Sequence, residues 1–156
     1  MFSEVFSTTI ANIKGGKEYP NIKGTVYLKK NKKGVLVTAK IFGLPTNKEK
    51  ECQGRFFGFH IHNGTSCTGN AEDEFADSNG HFSINKCNHP FHSGDLPPLL
   101  ENNGFAYMKV LTDKFKIEDI IGKTVIIHDM PDDFKTQPSG NSEKKIACGI
   151  IENSKD

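Results

Sequence analysis

Along most of the chain, apolar and polar residues change places at every position. In 22–29, IKGTVYLK, one face carries Ile22, Gly24, Val26 and Leu28 and the other Lys23, Thr25, Tyr27 and Lys29. The pattern returns in 35–42, VLVTAKIF, where Val35, Val37, Ala39 and Ile41 form the apolar face. A period of two marks strands with one buried side. The intervening NKKG at 31–34 has the composition of a hairpin turn. Further strands are predicted over 7–13, 55–62, 105–112, 124–129 and 146–152, and FKIEDII at 115–121 reads as one or two helical turns. Many short alternating strands with little helix predict an all-β antiparallel sandwich or barrel. A length of 156 residues suits one domain spanning 1–156.

Two stretches depart from this pattern. Residues 63–95 run without a convincing strand, and 129–145, DMPDDFKTQPSGNSEKK, form a second polar loop. Such long connections are usually functional or disordered. An ordered one needs something beyond its own sparse apolar residues to offset the entropy lost.

Composition narrows the function classes. The net charge is +1, with no run of basic residues interleaved with aromatics, so nucleic acid is not an expected partner. No apolar run approaches a membrane span, so no membrane association is expected. The four cysteines, Cys52, Cys67, Cys87 and Cys148, include no C-x-x-C pair, which argues against a thiolate zinc site. Their number allows one or two bridges.

The histidines carry the chemistry. In FGFHIHNG at 57–64, a strand turns Phe57, Phe59 and Ile61 to the core and His60 and His62 together to the outside. Two imidazoles one pleat apart on a rigid strand can share a metal. Alone, H-x-H is more often solvated surface. However, five of the six histidines, His60, His62, His81, His89 and His92, fall within 60–92, followed by Asp95. The sixth, His128, ends the apolar strand TVIIHD, leaving no histidine for another role. Clustered imidazoles with a nearby carboxylate suit copper and zinc.

GFHIH, Cys67, GHF at 80–82, HSGDL at 92–96, GKTVIIHD at 122–129 and IACGII at 146–151 together resemble the copper/zinc superoxide dismutases over residues 20–151. The resemblance implies an eight-stranded antiparallel Greek-key barrel or sandwich, immunoglobulin-like, with a long metal-binding loop and a short electrostatic loop. It implies copper on His60, His62, His81 and His128, and zinc on His81, His89, His92 and Asp95, with His81 bridging and acting in catalysis. Asp132 would orient His60 and His89, and Cys67 would be bridged to Cys148. The implied reaction converts superoxide, the substrate, to oxygen and hydrogen peroxide by alternating reduction and oxidation of copper beside a structural zinc.

Three features depart from the family pattern. Lys145 stands where the family usually has an anion-guiding arginine; it keeps the charge without the planar fork, and Lys144 could share its role. Only Pro90 and Phe91 separate His89 from His92, a shortened zinc segment. Cys52 and Cys87 are additional, and a second disulfide between them stands against two free thiols. Two other functions remain open: a copper carrier or store of this fold, and a zinc-only structural domain. The family forms monomers and homodimers. The expected location is cytoplasmic if the chain is complete as written, extracytoplasmic if a leader was removed.

Overall fold

Residues 8–47 and 55–154 are described by a computed structural model. The chain forms β1 (Thr9–Gly15), β2 (Lys23–Asn31), β3 (Gly34–Phe42), β4 (Phe56–Phe57), β5 (Phe59–His62), β6 (Leu99–Leu100), β7 (Ala106–Thr112), α1 (Ile117–Ile120), β8 (Thr124–His128) and β9 (Lys145–Asn153). Seven strands make one antiparallel sheet in the order β5-β8-β9-β1-β2-β3-β7, and β4 pairs with β6. Since β4 runs into β5 and β6 lies beside β7, the small pair links the two edges of the large sheet. This is the antiparallel barrel expected from the alternation, in the Greek-key form that the family resemblance implies.

The β2–β3 hairpin turns where the sequence predicts it, pairing from Lys23 opposite Phe42 to Asn31 opposite Gly34. The alternate residues Val26, Val37, Ala39, Ile41, Phe57, Phe59, Ile61, Val125 and Ile127 are all fully buried inside the barrel. Each large aliphatic or aromatic side chain so buried contributes about 1.5–3 kcal/mol. The predicted helical turns shrink to α1, whose start is held by Asp119 accepting from the Lys116 amide at 2.8 Å.

One predicted strand is divided. The segment 55–62 breaks at Gly58, so that β4 and β5 pair with different partners. The Gly58 amide donates to the Met130 carbonyl at 2.9 Å, and the His128 amide donates to the Gly58 carbonyl at 2.8 Å. A Cβ on Gly58 would stand 2.8 Å from Ser142 Oγ. The residue lets the electrostatic loop approach the strand that carries the histidines.

The long segment after β5 contains no strand until β6, only a 3-10 turn at Ala76–Ser78. Its order comes from tethers. Cys67 and Cys148 form a disulfide across 81 positions, and Phe75 packs with Ile126 and Cys148 on the outside of β8 and β9. Backbone bonds from Gly64 to Ser78 and from Phe82 to Ile61 close the base of the loop. Cys87 is exposed and unbridged among the described residues; Cys52, with which a second disulfide stood open against two free thiols, lies outside them.

Candidate metal centre

β5 and β8 lie side by side, with His60 opposite Ile126 and His62 opposite Thr124. Their outward side chains enter the space between the barrel and its two loops. His60, His62 and His128 are therefore buried, at 0%, 2% and 3% exposure, although they point away from the core. The outward direction was legible from the alternation; the cover was not. His81 enters from the long loop through an isolated bridge to His62, and Asp95 through one to His60.

Two groups of ligand-type atoms result. His60, His62, His81 and His128 make one, and His81, His89, His92 and Asp95 the other, each with its atoms within 4.8 Å of one another. His81 belongs to both. Its Nδ1 lies 2.7 Å from Asp95 Oδ1, while its buried Nε2 has no hydrogen-bond partner.

Hydrogen bonds set the tautomers. His60 Nε2 and His89 Nε2 each donate to Asp132, at 2.8 Å to Oδ2 and Oδ1 respectively. Their Nδ1 atoms are consequently lone pairs, and both are buried without a partner. His62 Nδ1 donates to the Asn79 carbonyl at 2.7 Å and His128 Nδ1 to the Glu143 carbonyl at 3.1 Å, which leaves both Nε2 atoms as lone pairs. In the second group, His89 Nδ1 and His92 Nδ1 lie 3.1 and 3.2 Å from Asp95 Oδ2. The short Pro90–Phe91 connection thus still brings both rings to one carboxylate.

Burial keeps His60, His62 and His128 neutral. It pushes His60 down to about 4 despite its bond to Asp132. Burial, then repulsion from His128, holds His62 well below its ordinary value. His128 falls to about 3, chiefly by burial, with Lys145 among the nearby charges that add to the shift. Burial raises Asp132, yet the bonds from His60, the Phe134 amide and His89 outweigh it and bring the carboxyl down to about 2. Burial likewise raises Asp95, and the His81 bond with the neighbouring imidazoles outweighs it.

The residues fit a pair of metal ions. Buried polar atoms without partners are rare and costly in folded proteins, yet His60 Nδ1, His81 Nε2, His89 Nδ1 and His92 Nδ1 all stand so at the two convergence points. Three imidazole nitrogens and one carboxylate match tetrahedral zinc, and an all-imidazole set suits copper.

Lys145 opens β9 opposite His128. Its ammonium is not free: it donates to Asp73 Oδ2 at 2.8 Å and to the Phe75 carbonyl at 3.2 Å. Lys144 pairs with Glu18 at 2.7 Å. Asp73, Asn79 and Glu143 were not among the sequence candidates. Asn79 and Glu143 act through backbone carbonyls, which leave no side-chain signature.

A family model described as copper/zinc superoxide dismutase matches residues 22–151. Superoxide dismutase [Cu-Zn] 1 of Aquifex aeolicus (strain VF5) is 31% identical to this chain, covering 91% of it and 84% of that protein. The superoxide dismutase [Cu-Zn] of Photobacterium leiognathi is 30% identical over 83% of this chain and 78% of its own. Among solved structures, a superoxide-dismutase-like protein from Bacillus subtilis, with a tyrosine and a proline each replaced by histidine, superposes with a TM-score of 0.72 at 28% identity. That likeness covers 92% of this chain and 97% of the other.

Proposed function

We propose that this chain, which belongs to the copper/zinc superoxide dismutase family, converts superoxide to oxygen and hydrogen peroxide. The ligand assignment is His60, His62, His81 and His128 for copper and His81, His89, His92 and Asp95 for zinc. The observation that carries it is His81, which belongs to both groups, with Nδ1 2.7 Å from Asp95 Oδ1 and its buried Nε2 without a partner. Copper held there supplies one-electron reduction and reoxidation, by which two superoxide ions and two protons become one oxygen and one hydrogen peroxide.

The chain's own residues do the rest. With Nδ1 of His81 committed on the Asp95 side, Nε2 is the ring atom that can hold and pass a proton. Asp132 keeps His60 and His89 in the tautomers that present Nδ1. Lys145 places a cation beside His128 for the incoming anion. The disulfide and Phe75 keep the long loop seated over the rings.

The same reading takes superoxide as the substrate, without nucleic acid or membrane in the reaction. It includes a homodimer: Phe56 and Leu100, opposite each other on β4 and β6, are 49% and 44% exposed. Sedimentation of the purified protein decides between dimer and monomer.

Metal content measured with turnover tests the function. One copper and one zinc per chain with dismutation supports it; a copper-loaded protein without turnover supports the carrier reading, and zinc alone the structural one.

A further inference from the structure

We propose that Gln137 is a positioning residue for zinc: it fixes the main chain of His89 so that Nδ1 of that ring meets the second group of ligand atoms. The proposal rests on the zinc assignment above. Gln137 lies on the electrostatic loop, 48 positions from His89, and its side-chain amide pairs with both main-chain groups of that residue. Oε1 accepts from the His89 amide at 2.9 Å, and Nε2 donates to the His89 carbonyl at 2.7 Å. Nε2 also donates to the Lys135 carbonyl at 3.2 Å, which braces the side chain against its own loop.

The segment that carries His89 needs such a hold. Between Phe82 and Ser93, His89 is the one buried residue. Ile84 and Phe91, its large apolar neighbours in sequence, are 54% and 66% exposed. Packing of apolar side chains therefore does not place this ring, and polar tethers must. The main chain is bound from outside at Ile84, whose amide donates to Ser93 Oγ at 3.1 Å, and at Pro90, whose carbonyl accepts from Lys114 Nζ at 3.4 Å. Gln137 acts at the ligand residue itself, through shorter bonds.

Asp132 grips the other end of the ring, at Nε2. A ring held at that tip alone can pivot and carry Nδ1 away from Asp95 Oδ2, from which it lies 3.1 Å. Two bonds at the main chain fix the opposite end, and they satisfy the peptide groups of a buried residue. A side-chain amide suits this task because it sets an acceptor and a donor side by side; a carboxylate offers only acceptors and an ammonium only donors. His89 belongs to the second group alone. Asp132 bonds His60 as well, whereas Gln137 acts on one metal.

The test is chelator competition for zinc, and for copper with the zinc position empty, on Gln137→Ala and Gln137→Glu, with cobalt(II) as a spectroscopic probe of the zinc position. Zinc affinity should fall by about 10-fold or more in Gln137→Ala, and at least as far in Gln137→Glu, which keeps the acceptor but sets an oxygen against the His89 carbonyl. Copper affinity should be unchanged, and the d–d bands of bound cobalt(II) should shift. Thr136→Ala, which removes a bond inside the same loop from Oγ1 to Asp133 Oδ2 at 2.5 Å, should leave zinc affinity and the cobalt bands as they are. Equal loss of both metals, or the same loss in Thr136→Ala, makes Gln137 a brace of the loop and overturns the proposal. Unchanged zinc affinity in both Gln137 variants overturns it alone, while an unmodified protein that takes up no zinc overturns the metal assignment with it.

Discussion

His62 Nε2 and His128 Nε2 stand 3.1 Å apart with no proton between them, because each ring spends its N–H on a backbone carbonyl. Two buried lone pairs at this distance repel, and a cation between the rings removes the repulsion. Adding copper to the metal-free protein should therefore raise Tm by several degrees, read by calorimetry. His128→Ala should lose that shift, the copper and nearly all dismutation. A His128→Ala protein that keeps full activity excludes His128 as a ligand.

The neutral rings also set the acid response of the metal-free protein. His60 and His128 ionise at about 4 and about 3 when folded, against about 6.5 in an unfolded chain. Between these limits the unfolded chain binds more protons, so stability rises with pH there. Urea midpoints of the metal-free protein should be flat above pH 7 and fall progressively from about 6.5 towards 3. A midpoint independent of pH through this window contradicts buried neutral imidazoles.

Asp132 serves both groups through one carboxylate, so its loss should reach both metals. Asp132→Ala should weaken each by about 10–100-fold, the usual cost of removing a partner that orients a ligand ring. Gly140 tests the same contact from outside. It sits at φ +69°, and a Cβ there would fall 2.0 Å from Asp132 Oδ1 and 2.6 Å from His89 Nε2. Gly140→Ala should lower zinc and copper affinity together, measured by competition with a chelator, although position 140 is no ligand.

What could be read from the sequence follows physical lines. The barrel was legible because alternation reports burial directly, residue by residue, from Val26 to Ile127. The six histidines stood out by their spacing, and the structure brings all six to two points. The break at Gly58 was hidden, since a strand that changes partners keeps its alternation. The partner of Lys145 was hidden too: Asp73 lies 72 positions away, and a loop's side-chain pairings have no periodicity.

The disulfide supplies order that the long loop's composition lacks. Closing 81 positions restricts the unfolded chain and is worth about 4–5 kcal/mol by loop entropy. Cys67→Ser should lower the stability of the metal-free protein by an amount of that order, read as a shift in urea midpoint. Part of the loss is local, because Phe75 packs beside the bridge. Hydrogen exchange should accordingly rise first around 64–78, ahead of the barrel strands. Uniform exchange across the barrel would instead assign the disulfide a global role only.

Asp73 restrains Lys145, the cation beside His128. Its Oδ1 accepts from the Phe75 amide at 3.0 Å while its Oδ2 holds Lys145, so one carboxylate both shapes the loop and partly neutralises the charge next to His128. Asp73→Asn keeps an acceptor for the amide and removes the opposing charge. The expected result is a higher kcat/KM at low ionic strength, by about two- to tenfold, that converges on the unmodified protein as salt screens Lys145. Azide, a small anion that competes for the same approach, should bind more tightly by a similar factor. Lys145→Ala should reverse both effects, and the double variant should match Lys145→Ala. If Asp73→Asn raises neither anion affinity nor rate, Lys145 is a loop anchor and the anion is guided from elsewhere.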